Sequence, residues 1–181
     1  MFFDHLGVVW QYEPEGFDLG SGHWYLPDFW LPDLRIWLEV KGHGASDGIG
    51  LWERFAQAAD PPSDADVAGG VAPALSVLPA AWRGRALLAY GDIPRPGDAR
   101  PGGVWPAASE AMLASTGDPF FQWCICLSCG RVGAEFDGRW ERICCGHSLE
   151  GGPESSADHP RLLAAYRAAR EKSFEHEHRE R

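Results

Sequence analysis

The sequence predicts an α/β fold with a small C-terminal metal-binding appendage. Three observations carry that expectation: β-rich runs crowd the first forty residues, a helix-forming stretch separates them from a later buried apolar run, and five cysteines fall between Cys124 and Cys145. Strands joined by tight turns pair as an antiparallel meander. A strand reached through a helix can instead pair in parallel, so a chain with both connections builds a mixed sheet. With 181 residues, 45% of them hydrophobic and nine of them Trp, there is apolar material for one core domain plus the appendage, which excludes a wholly disordered chain.

Taken in order, Phe2, Phe3 and Leu6 form a short apolar piece stopped by Gly7, a glycine suited to a helix C-terminus. Val8 to Tyr12 have strand composition. After the turn residues Glu13 to Gly16, a second strand is expected from His23 to Leu31, and Pro32-Asp33 turns the chain into a third from Leu34 to Val40. Leu51 to Ala59 reads as a helix, and Ala86 to Tyr90, stopped by Gly91 and Pro94, as a buried strand that completes the crossover. Residues 96–122 are a Pro/Gly-rich connector with a helical patch around Ala107 to Leu113. Leu162, Leu163, Tyr166 and Ala169 recur at helical spacing after Pro160, which predicts a C-terminal helix running into a charged tail.

The net charge is −10, and the acidity is mostly N-terminal: residues 1–60 hold ten acids against three bases. That distribution lacks the basic footprint of a general phosphate-backbone binder. It suits a divalent-cation site, which needs clustered carboxylates. No apolar run approaches the ~18–20 residues that cross a bilayer and no export signal is visible, so a cytoplasmic location and no membrane partner are expected. Cysteines crowded in such a chain point to a thiol or metal site rather than to a disulfide framework.

The chemistry-bearing segment runs from Tyr25 to Lys41. Side chains alternate along a strand, so Ile36, Leu38 and Val40 take one face while Trp37, Glu39 and Lys41 take the other. If the preceding strand folds back at Pro32-Asp33, Asp28 reaches the same end of the sheet as Glu39. Two carboxylates and the Val40 carbonyl could then hold Mg²⁺ or Mn²⁺. Lys41 would orient or help deprotonate a metal-bound water, or neutralise the attacked phosphate. His43, in the glycine-rich loop that follows, is a candidate second base.

Pro27-Asp28 followed by Glu39-Val40-Lys41 resembles the motif of the PD-(D/E)XK nuclease superfamily. The likeness is nearest to small bacterial and phage endonuclease-like proteins whose Tyr-Leu-Pro-Asp-Phe strand precedes a Glu-Val-Lys-Gly strand, as Tyr25 to Phe29 and Glu39 to Gly42 do here. Tyr12 to Gly16 and Leu87 to Pro94 are similar to the flanking strands, so the resemblance covers residues 1–95. It implies a restriction-endonuclease-like mixed sheet flanked by helices, DNA as the partner, phosphodiester hydrolysis as the reaction, and Asp28, Glu39 and Lys41 as its catalytic residues. Such proteins commonly bring a further glutamate from a longer first helix; here Glu13, Glu15 or Asp4 would have to replace it.

Cys126-Leu-Ser-Cys129-Gly130 is a zinc-knuckle sequence, and Cys144-Cys145-Gly146-His147 follows after fourteen residues. Structural zinc takes four Cys or His ligands from two such turns. Residues 123–150 are therefore expected to form a zinc ribbon held by Cys126, Cys129, Cys144 and His147, with Cys124 and Cys145 spare, Cys145 being able to replace His147. The intervening Val132, Ala134, Phe136 and Trp140 suit a hairpin turning at Asp137-Gly138. Arg161, Arg167, Arg170 and Lys172, on the helix of residues 160–181, would either add DNA-binding charge or form a solvated face balanced by glutamates. Two other readings stay open: a noncatalytic zinc module for DNA or protein on a decayed nuclease core, and an interaction subunit, or homodimer, whose acidic surface meets a basic partner.

Overall fold

The computed structural model describes residues 1–41, 48–60, 68–70, 78–90, 110–113, 120–136, 142–143, 145, 147 and 159–179. Its elements are α1 (Phe2–Leu6), β1 (Gln11–Tyr12), β2 (Phe17–Asp18), β3 (Trp24–Tyr25), β4 (Phe29–Leu31), β5 (Ile36–Lys41), α2 (Ile49–Ala59), a 3₁₀ turn (Ala80–Trp82), β6 (Arg85–Tyr90), β7 (Glu110–Leu113), β8 (Phe120–Ile125), β9 (Val132–Phe136), β10 (Arg142–Ile143) and α3 (Pro160–Arg179). Two compact units form, one around residues 10–90 and the other from residues 1–9 together with the chain from 120 onward. The division differs from a core spanning residues 1–95, because α1 packs with the C-terminal elements. No helix among the described residues is long and apolar enough to cross a membrane.

In the first unit β1 pairs antiparallel with β4, β4 antiparallel with β5, and β5 parallel with β6 after the crossover through α2. The fold is mixed α/β, as the two kinds of connection predict. The strand expected over His23 to Leu31 is divided: β3 forms a separate hairpin with β2, and the chain joins β5 only from Phe29. Proline explains the division, since buried Pro27 has no N–H to continue a ladder. The third strand starts at Ile36 rather than Leu34, because Leu34 and Arg35 belong to the turn and donate to the carbonyls of Leu31 and Pro32.

The central strand β5 is buried on both faces from Ile36 to Glu39. On one face Trp30 stands opposite Trp37, their rings 4.7 Å apart, and α2 covers them with Trp52, Phe55, Ala56 and Ala59. Those four positions follow the i, i+3, i+4, i+7 pattern, which puts them on one helical stripe. The Trp37 indole donates to the Trp82 carbonyl at 2.8 Å, so the large ring leaves no unmet donor. Arg35 reaches the Ala80 and Arg83 carbonyls and ties the β4–β5 turn to the 3₁₀ segment.

Gly84 sits where β6 enters the sheet. A Cβ there would lie 2.1 Å from the Arg35 carbonyl oxygen and 3.1 Å from the Trp30 ring. That same carbonyl accepts the Arg85 N–H at 2.9 Å. Gly84→Ala is therefore expected to destabilise this unit by about 3 kcal/mol, the upper end of ordinary overpacking. A shift in the chemical-denaturation midpoint reads it, and an unchanged midpoint would refute the close approach.

In the second unit β8 pairs with β9 and β9 with β10, all antiparallel. This is the expected hairpin, although Asp137 and Gly138 lie outside the described residues. The patch around Ala107 to Leu113 contains strand β7, not a helix, over Glu110–Leu113; so short an apolar run carries too few residues to tell the two periods apart. Helix α3 begins at Pro160 as predicted and buries Leu162, Ala165 and Tyr166. Phe2 and Phe3 of α1 pack beside Tyr166 and Trp123, with ring centroids 4.8 and 5.5 Å apart for Phe2–Tyr166 and Phe3–Trp123.

Candidate metal centres

The β4–β5 register places the carboxylates. Trp30 faces Trp37 and Phe29 faces Leu38, so one further step puts Asp28 opposite Glu39, on the same face. There the regular ladder stops and side chains take over its hydrogen bonds. The Val40 N–H donates to Asp28 Oδ2 at 2.8 Å, and the Asp28 N–H donates to Glu39 Oε2 at 3.2 Å. Glu39, only 4% exposed, is bound through Oε1 to Lys41 Nζ at 2.7 Å. The structure thus brings together Asp28, Glu39, Lys41 and the Val40 backbone; His43 lies outside the described residues.

On the other side of β4, Glu13 follows β1 and donates its N–H to the Asp28 carbonyl at 2.8 Å. Its backbone is left-handed, with φ 43°. Of the three acids that could replace a first-helix glutamate, Glu13 is the one beside Asp28, whereas Asp4 sits on α1 in the other unit. The Tyr12 phenol, next to Glu13, is held above its usual range by that carboxylate.

Burial pushes the Asp28 carboxyl up; the Val40 N–H and Lys41 pull it down, and Glu39 and Glu13 push it up further, leaving it above the ordinary aspartate value. A carboxyl raised on folding contributes stability that is fully present below its unfolded pKa and is lost as pH rises through the folded value. Asp28→Asn is therefore expected to melt higher than the wild type near neutral pH, with the difference vanishing below about pH 4. Melting curves in buffer without added divalent cations measure this, and a lower melting temperature for the variant at pH 7 would contradict it.

The second centre is built on the knuckle between β8 and β9. Gly130, with φ 69°, lets the turn close: its N–H donates to the Cys126 carbonyl at 2.7 Å, and the Cys126 N–H to the Arg131 carbonyl at 2.9 Å. The ligand atoms of Cys126, Cys129, Cys145 and His147 all lie within 4.8 Å of one another, and this is the one such group of three or more among the described residues. His147 Nδ1 is 3.3 Å from Cys145 Sγ and 3.8 Å from Cys126 Sγ. Tetrahedral zinc with bonds of about 2.3 Å to sulfur and 2.0–2.1 Å to nitrogen implies S···N edges of ~3.5 Å, between those two distances. A Cys₃His group of this kind could hold zinc.

Three of the four expected ligands, Cys126, Cys129 and His147, stand in this group. Cys145, expected as a spare able to replace His147, stands in the group together with it; Cys144 lies outside the described residues. The reason is local: the His147 N–H donates to the Cys145 carbonyl at 2.8 Å, a tight turn that brings both side chains to one side. Cys124 is fully buried in β8 and stands outside the group. The Arg131 N–H lowers the Cys129 thiol, but lost solvation and the Cys126 and Cys145 sulfurs outweigh it and leave the thiol above its usual range.

Arg161 of α3 makes hydrogen bonds within the C-terminal unit. Its guanidinium donates to the Gly130 carbonyl at 3.0 Å and the Leu6 carbonyl at 3.3 Å, fastening the knuckle and the end of α1 to α3. Arg167 and Lys172 remain exposed on α3. No family model matches the chain, and neither a curated protein nor a solved structure matches it.

Proposed function

We propose that this protein is a metal-dependent DNA endonuclease with a restriction-endonuclease-like core, and that its C-terminal unit is a zinc ribbon. The observation that carries the reading is the strand register that sets Asp28 opposite Glu39 with Lys41 on the same face. The donor set fits a hard divalent cation: two carboxylates and a backbone carbonyl are oxygen ligands, and Mg²⁺ usually takes only one or two protein carboxylates while keeping several waters. Asp28, Glu39 and the Val40 carbonyl would hold Mg²⁺ or Mn²⁺. When bound, the cation supplies Lewis acidity and a water of lowered pKa.

The protein's own groups do the rest. The Val40 N–H fixes one Asp28 oxygen and the Asp28 N–H fixes one Glu39 oxygen, so both carboxylates are oriented before a substrate arrives. Lys41 carries the positive charge that would meet the attacked phosphate or orient the attacking water, and Glu39 holds it in place. With Arg161 committed to backbone carbonyls, exposed Arg167 is a group on α3 placed for phosphate contacts.

Incubation of the whole chain with single-stranded, duplex and branched DNA is expected to give cleavage with Mg²⁺ or Mn²⁺ and none without divalent cation. If no substrate is cut under any of these conditions, the endonuclease reading gives way to a noncatalytic zinc module.

A further inference from the structure

One buried group beside the carboxylates has no role in the proposed chemistry. Tyr25 lies on β3, three residues before Asp28, with its ring held against Phe55 at 5.3 Å and Trp52 at 6.2 Å between centroids. Phe55 also packs on Trp37, so Tyr25 belongs to the sheet face that carries Glu39. Its hydroxyl is buried beside the Glu39 carboxylate but makes no hydrogen bond of ordinary geometry, and Trp52 Nε1 is likewise buried without one. Glu39 and Asp28 are the charges that act on the phenol, which burial above all holds far above its usual pKa.

Buried polar groups nearly always find a partner, and a hydroxyl left without one costs stability. Nothing in the ring packing requires that cost, since phenylalanine would make the same contacts. A partner that comes with the cation resolves this, because Mg²⁺ keeps several of its waters. We propose that the Tyr25 hydroxyl is a positioning group for the carboxylate site, supplying a hydrogen bond to the water shell of a divalent cation held by Asp28 and Glu39. The inference rests on the cation site proposed above and adds to it a residue outside the ligand set. Partners of this kind typically change metal affinity 10–100-fold.

Mn²⁺ binding to the full chain, followed by the loss of free-ion paramagnetic resonance signal, tests it alongside thermal melting. Tyr25→Phe is expected to bind Mn²⁺ about 10–100-fold more weakly than the wild type, while melting at the same temperature or higher without the ion. Asp28→Asn, as the reference, is expected to lose this binding. If Tyr25→Phe binds Mn²⁺ like the wild type while Asp28→Asn does not, the Tyr25 role is wrong and the cation site stands. Wild-type binding by both variants would overturn the site and the Tyr25 role together. A Tyr25→Phe protein that melts well below the wild type in the absence of the ion would show a structural hydroxyl and also refute the proposal.

Discussion

Substituting Cys126, Cys129 or Cys145 with serine is expected to strip zinc from the chain and unfold the C-terminal unit, while the β1–β4–β5–β6 unit keeps its structure. The wild type should carry about one zinc per chain, since structural sites of four Cys or His ligands bind a single ion. Zinc is held in small domains with an apparent ~10–16 kcal/mol, and that binding energy is folding energy, so removal of one thiolate should cost several kcal/mol. Damage should spread beyond the knuckle, because Arg161 joins the Gly130 carbonyl to α3 and α1. The ligand set makes the test sharp: Cys145→Ser should lose the metal and Cys144→Ser should keep it. Elemental analysis of each protein decides this, and a wild type without zinc would overturn the whole account of this unit.

Loss of DNA cleavage on Lys41→Ala is the second large effect expected. Removing one preorganised electrostatic group from a reacting centre commonly costs about 10²–10³ in rate, and here the ammonium also neutralises the buried Glu39 carboxylate. Cleavage should fall by at least that factor with Mg²⁺ as with Mn²⁺, while DNA affinity changes little. Arg167→Glu should do the reverse, weakening binding and flattening its salt dependence at an unchanged single-turnover rate. Equal loss of affinity and rate in both variants would argue that Lys41 only holds DNA.

The features readable from sequence were those set by neighbours in the chain. Alternation along Ile36 to Lys41 and the turn at Pro32-Asp33 sufficed to bring Asp28 to Glu39, because both depend on local backbone geometry. The same reasoning placed the knuckle at Cys126 and Cys129. It left Cys145 as a spare thiol, because the backbone bond between residues 145 and 147 that brings both into the group is not visible in spacing. Arg161 looked like a solvated charge at the start of an amphipathic helix, yet its partner at Leu6 lies 155 residues away. Tyr25 looked like any strand aromatic; its unmet hydroxyl depends on how α2 packs over it, which no spacing reports.

The pairing of α1 with α3 bears on the order in which a growing chain can acquire its structure. Residues 1–9 are made before residues 10–90, but their partners, Trp123, Arg161 and Tyr166, come only after that segment. The pairings of β1, β4, β5 and β6 with one another involve only residues 10–90, so they can close while later segments are still being made. Until those partners arrive, the apolar Phe2, Phe3 and Leu6 wait uncovered. The C-terminal unit, closed by contacts of such long sequence separation, is the part expected to form slowly and to call on chaperones during translation.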